Sequence, residues 1–139
     1  TGLAVEALVF ELWDLAPALR AATYEAPLYR GENALHIAIV KKAGERVVRA
    51  LVESKEGPEL LTQRADGEFF TAADQSGGTC HRLGEYPLAF AACASQPATF
   101  DLLVECKADL RARTSVGGHN LLHLMVLNAF RGDVDVAEG

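Results

Sequence analysis

Four histidines and three cysteines are the side chains of this 139-residue sequence best suited to chemistry, and their spacing limits what they can do. His36 and His123 occupy the same place in two similar phrases, each following a leucine shortly after a turn glycine. A histidine so placed could ligate a metal, act as a base, or bond its ring nitrogens to turn backbone. Cys80 and His81 are adjacent, but a zinc site needs about four ligands, and His119 at a loop tip has no obvious companion. Cys93 and Cys106 fall inside apolar helical runs, where cysteine acts as a small core residue. An odd number of cysteines without close pairing fits a reducing compartment better than a disulfide framework. Serine, histidine and aspartate are all present, yet no nucleophile-elbow sequence accompanies them. Gly77 and Gly78 lack the following lysine of a phosphate loop. No catalytic chemistry, metal or cofactor is therefore expected. With 13 basic against 19 acidic residues and a net charge of −6, a nucleic-acid surface is also excluded.

The residues that remain are suited to contact. Phe69, Phe70, Tyr29 and Tyr86, with His81 and Arg82, are the candidates for a partner-binding surface. Exposed phenylalanines need something to pack on; the alternative is that these rings fold back on their own chain. Lys41, Lys42, Arg46 and Arg49 gather around one predicted helix pair, as a solvated rim or as a patch for an acidic partner.

The elements that must position these residues follow from a phrase written three times. It reads Gly31, Glu32, Asn33, Ala34, Leu35, His36; then Gly84, Glu85, Tyr86, Pro87, Leu88, Ala89; then Gly118, His119, Asn120, Leu121, Leu122, His123. Each is a turn glycine, a polar or capping residue, leucine and usually histidine, opening a short apolar helix. This is close to the T-P-L-H-x-A signature of ankyrin repeats, and it makes His36 and His123 structural histidines that fix repeat stacking. The fold class expected is an all-α ankyrin solenoid of helix-turn-helix repeats.

In the first complete repeat, 31–62, Ala34 to Lys42 is the inner helix, capped by Asn33, and Glu45 to Glu53 the outer one. Val47, Val48, Leu51 and Val52 form its buried face. In the repeat at 84–116, the helices run Pro87 to Ser95 and Ala98 to Glu105, with Phe100, Leu103 and Val104 facing in. Pro87 suits a first helical turn, whereas Tyr86 cannot cap as Asn33 does. Residues 3–15 read as the outer helix of a preceding repeat, with Trp13 packing toward an inner helix, and 117–139 as the start of a further one. Both ends look cut, as in a piece of a longer array. The uncharged run from Thr114 to Phe130 is too short and too polar for a membrane span. No signal peptide is legible.

The motif leucine recurs after 34 positions from Leu88 to Leu122, near the ankyrin period of about 33, but after 53 from Leu35 to Leu88. The surplus lies in a long finger loop at 63–83. That loop carries Gly67, Phe69 and Phe70 and runs into Gly84, Glu85, Pro87, Leu88, Phe90, Ala91, Ala92 and Cys93. This order resembles the cytosolic ankyrin domain of vanilloid-type TRP cation channels. Agreement extends from about Tyr24 to Leu124, including Tyr29 to Ile39 and Ala112 to Gly117. The resemblance implies part of a domain that hangs on the cytoplasmic face of a tetrameric, calcium-permeable channel of the plasma membrane. Its partners would be neighbouring channel subunits, reached by the finger, and cytosolic regulatory proteins. Some members of the family bind ATP or calmodulin. Here Tyr29 matches the nucleotide site, but Glu32 replaces a neutral amide and Val40 an acid, so no nucleotide site carries over. The alternative is a soluble ankyrin adaptor that binds one partner protein through its concave face and finger.

Overall fold

The computed structural model describes residues 2–66, 85–94, 96–115 and 118–129; the finger centred on Gly67 to Leu83 lies outside them. Seven α-helices are described: α1 (Gly2–Leu15), α2 (Ala34–Val40), α3 (Glu45–Glu53), α4 (Gly57–Thr62), α5 (Pro87–Cys93), α6 (Pro97–Glu105) and α7 (Leu121–Ala129). Two short 3-10 turns, Pro17–Ala21 and Pro27–Tyr29, link α1 to α2. There is no strand among the described residues, and the chain is an ankyrin solenoid. None of the described helices is long and apolar enough to cross a membrane.

The stack has two rows. Inner helices α2, α5 and α7 lie side by side, while α3 backs α2, α6 backs α5, and α3 meets α6. The core runs between the rows through Leu35, Ile39, Val48, Leu51, Phe90 and Leu103. Val47, Val48, Leu51 and Val52 are the buried residues of α3, as its periodicity requires. In α6 the buried pair is Leu102 and Leu103, with Phe100 and Val104 only partly covered. Leu102 thus joins the predicted Leu103 at the centre of the buried face, with Phe100 and Val104 at its edge, because packing against α3 and α5 sets which side of the helix is covered. Ser95 lies outside the described residues, and the inner helices stop at Val40 and Cys93.

Helix α4 was not legible as such. Its six residues are too few to show periodicity, and Gly57 marks a contact rather than a break. A Cβ there would lie 2.0 Å from the Val52 carbonyl oxygen, so only glycine lets the turn close on the end of α3. Leu60 is then carried into the core.

Each inner helix starts from a local device. Asn33 Oδ1 accepts from the backbone N–H of Leu35 (2.8 Å) and of His36 (3.1 Å). In return the N–H of Asn33 donates to His36 Nδ1 at 2.9 Å. That is a capping box built from asparagine and histidine. At α5 Tyr86 occupies the cap position without a side-chain capping bond, and Pro87 follows in the first turn.

Candidate contact surface

His36 shows how the repeats are joined. Because Nδ1 accepts from Asn33, the proton sits on Nε2, which donates to the Glu85 carbonyl at 3.0 Å across to the next repeat. Asn33 Nδ2 adds bonds to the Leu60 carbonyl (3.1 Å) and to Gln63 Oε1 (2.6 Å). The Phe90 ring meets the imidazole edge at 4.8 Å between centroids. Burial lowers the His36 pKa to about 4, despite the bond to Glu85 that works the other way. The group is neutral, and both nitrogens are committed. It is neither a metal ligand nor a base, and no group of three or more candidate metal ligands occurs among the described residues.

The turns at the starts of the inner helices line up as a row of bonded loops. Tyr24 N–H donates to the Glu32 carbonyl at 3.0 Å, Ala65 N–H to that of Glu85 at 2.6 Å, and Thr114 N–H to that of His119 at 2.8 Å. These three bonds are equivalent, so Thr23, Arg64 and Arg113 hold one structural position in successive repeats. Neighbouring loops are tied in turn. Asp66 N–H donates to the Arg30 carbonyl at 2.9 Å, while Arg30 Nε donates to Asp66 Oδ1 at 3.0 Å. Gly31 is needed beneath this tie. Its φ is +88°, and a Cβ would lie 2.1 Å from the Arg64 carbonyl oxygen.

Between the second and third loops Glu85 is the hub. Its Oε1 accepts from Arg64 Nη1 (2.8 Å) and from the Ser115 N–H (2.7 Å). Arg64 also donates to the Arg113 carbonyl at 2.8 Å and lies over the Tyr86 ring. The sequence offered one signal for this hub, the glutamate after the turn glycine in two of the three phrases. The partners are distant in sequence and could not be read from it.

Tyr86 corrects an expectation. Its ring is 3% exposed and its hydroxyl donates to the Ala112 carbonyl at 2.9 Å, so it stitches repeats together and offers no contact surface. Burial accordingly raises its pKa. Tyr29 is 37% exposed and stacks at a tilt on Tyr24, 5.6 Å between centroids. Phe69, Phe70, His81, Arg82 and Gly84 lie outside the described residues. Cys93 and Cys106 are partly buried against the core, and burial raises the Cys106 thiol pKa.

Of the basic cluster, Lys41 and Lys42 are exposed, and the two arginines on α3 are paired within the chain. Arg46 pairs with Glu6 at 2.9 Å and lies over Phe10, and Arg49 bridges Glu45 and Glu53. Trp13, expected to face an inner helix, is partly buried with the Arg20 guanidinium over its ring. It lines an apolar groove of about 560 Å³ between α1, the 3-10 turn at Pro17–Ala21 and α2.

No family model matches the chain. It is 40% identical over 101 residues to transient receptor potential cation channel subfamily V member 4 of Homo sapiens, covering 70% of this chain and 11% of that protein. Over 102 residues it is 39% identical to subfamily V member 2 of Homo sapiens, covering 71% of this chain and 12% of the relative. With subfamily V member 1 of Cavia porcellus it shares 38% identity over 108 residues, 76% of this chain and 12% of the relative. The chain thus spans only about an eighth or less of the length of these relatives.

Proposed function

The chain belongs to the vanilloid-type TRP cation channel family, and from that premise we propose that it is part of the ankyrin scaffold of a tetrameric, calcium-permeable channel. It sits on the cytoplasmic face of the plasma membrane and mediates contacts with neighbouring subunits and regulatory proteins. It performs no catalysis. Residues 3–15 supply the outer helix of one repeat, 31–62 and 84–116 are complete repeats around the finger at 63–83, and 117–139 begin another.

One observation carries the contact role. The two ends of the long insert are held together, by the backbone bond from Ala65 to Glu85 and by the Arg64–Glu85 ion pair. An insert whose ends meet on the scaffold leaves helix stacking undisturbed, so its sequence is free to serve a partner. Phe69, Phe70, His81 and Arg82 on the insert, with Tyr29 beside its root, are the contact residues of this reading. Tyr86 anchors that root.

The test is deletion of Gly67 to Leu83 in the full-length protein, with a short glycine-serine link. Helix content and thermal unfolding of the ankyrin region should be unchanged, while tetramer yield or gating falls. Unchanged assembly and gating would overturn the reading.

A further inference from the structure

The equivalent backbone bonds of the three loops also align the residues that follow them. One place beyond Tyr24, Ala65 and Thr114 stand Glu25, Asp66 and Ser115. Two of the loops thus carry an acid where the third carries a hydroxyl. Asp66 shows what the acid does, for its carboxylate takes Arg30 Nε at 3.0 Å and ties its loop to the one before. At Ser115 only the backbone makes such a tie, its N–H donating to Glu85 Oε1 at 2.7 Å. The residue is exposed, and its hydroxyl makes no hydrogen bond among the described residues.

Two exposed arginines precede it, Arg111 and Arg113, four and two positions before Ser115 on the stretch between α6 and α7. Neither guanidinium meets a carboxylate among the described residues. Arg113 Nη1 donates to the Gly118 carbonyl at 3.0 Å, and Arg111 reaches Asp109 Oδ1 only through its backbone N–H. Arginines just N-terminal to an accessible hydroxyl are the charge pattern that basic-directed protein kinases select. The other described hydroxyls do not offer it. Thr114 is 7% exposed and accepts from the His119 N–H, while Ser54 and Thr62 donate to backbone carbonyls and Thr99 to Gln96. Thr23 follows an arginine by three positions, but Arg20 is committed to Glu56 and to the Trp13 carbonyl.

We propose that Ser115 is a phosphorylation site for a basic-directed protein kinase, and that the phosphate gives this loop the acid that the other two possess. In the transfer Ser115 Oγ bonds to the γ-phosphorus of ATP as the bond from that phosphorus to the bridging oxygen breaks. ADP leaves, and the hydroxyl proton passes to the base of the kinase. The product carries a charge of about −1.5 to −2 at neutral pH. Around it Arg64, Arg111 and Arg113 outnumber Glu85 and Asp109, so the place is net positive. Arg64 is the partner in reach. Its Nη1 shares Glu85 Oε1 with the Ser115 N–H, while its Nε and Nη2 make no hydrogen bond among the described residues. Phosphoserine held there fastens the loop before α7 to the root of the long insert by side chain as well as backbone. From the reading of function this takes only the compartment, where ATP and a kinase are at hand.

The test incubates the 139-residue chain with MgATP and the catalytic subunit of a basic-directed kinase, and maps the phosphate by mass spectrometry. Ser115 should be the residue modified. Arg113→Ala should slow the transfer about tenfold, through loss of one charge-assisted contact to the kinase, and Ser115→Ala should abolish it. Phosphate on another hydroxyl alone, or none, would overturn the site. A peptide of residues 109–119 runs in parallel. Modification of the peptide but not of the folded chain would mean that the fold withholds the hydroxyl, and would overturn the proposal too. Phosphorus NMR then reads the contact with Arg64. Pairing should lower the second pKa of the phosphate from about 6 to about 5, and Arg64→Gln should bring it back. A value that stays at 6 or rises, or that Arg64→Gln leaves unchanged, would overturn the tie to Arg64. These readouts do not involve the insert's partner, so their failure leaves the scaffold reading standing, and failure of the deletion test leaves Ser115 untouched.

Discussion

The first and third copies of the repeated phrase carry the same asparagine, leucine and histidine in two different environments. Locally they are alike. Asn120 Oδ1 accepts from the His123 N–H at 2.8 Å, and the Asn120 N–H donates to His123 Nδ1 at 3.2 Å, as Asn33 and His36 do. Yet Leu35 is 0% exposed and Leu122 is 68% exposed. His36 is enclosed and reaches the next repeat through Nε2, whereas His123 is exposed. The capping box therefore forms without burial, and burial comes from a neighbouring repeat that covers it. Sequence specifies the first; only stacking supplies the second.

The largest expected effect tests this directly. Leu35→Ala should destabilise the 139-residue chain by about 2–5 kcal/mol, through lost burial and the cavity left behind. Leu122→Ala should change it by no more than about 0.5 kcal/mol. Thermal or urea unfolding of both variants reads the difference, and equal losses would break the comparison.

The two turn glycines give a second contrast. Both have positive φ, +88° at Gly31 and +65° at Gly118, but a Cβ at Gly118 meets nothing within 4 Å. Gly118→Ala should thus cost about 1 kcal/mol, from backbone strain alone. Gly31→Ala must also displace the Arg64 carbonyl and should cost about 3 kcal/mol. Melting temperatures of the pair check the ratio.

The enclosed copy also makes a pH prediction. For His36, with a pKa lowered from 6.5 to about 4, the unfolded chain binds more protons in that window. Its contribution is therefore full above pH 6.5 and is lost as pH falls to 4. For Glu32, raised from 4.5 to about 7, the folded chain binds more protons, so stability is lost as pH rises through that range. Each amounts to about 3 kcal/mol at the extremes, and between pH 4.5 and 6.5 they oppose one another. Wild-type stability in the 139-residue chain should be nearly flat across that interval. Glu32→Gln should uncover the His36 slope, with stability rising toward neutral pH by about 2–3 kcal/mol. Urea midpoints at half-unit steps of pH would show it; a flat variant profile would break the account of His36.

The smallest effect concerns the caps. Asn33→Ala loses the cap and also the bonds to Leu60 and Gln63, and should cost about 2–3 kcal/mol. Asn120→Ala loses an exposed cap and should cost about 1 kcal/mol or less. Equal costs would mean that the cap alone, not its neighbours, stabilises the enclosed copy.

These contrasts also explain how much could be read in advance. The starts of α2, α3, α5 and α7, and the role of His36, follow from local patterns of glycine, asparagine and apolar residues a few positions apart. The buried face of α6 was read through Leu103 but missed Leu102, and α4 was invisible, because a short helix closing on a carbonyl through Gly57 has no periodic signal. Tyr86 was misassigned for a related reason. An aromatic side chain beside a turn reads the same in sequence whether it faces a partner or the next repeat.

What the sequence determined by itself is the repeat unit, its local caps and the family to which the chain belongs, since each depends on residue types at short, fixed spacings. The tertiary structure decided which copy of the unit is enclosed and which glutamate has a partner. Those depend on groups up to 49 positions apart, such as His36 and Glu85. Burial and charge compensation arise only where distant segments meet, so of two glutamates that each follow a turn glycine, Glu85 meets Arg64 and Glu32 meets no cation among the described residues.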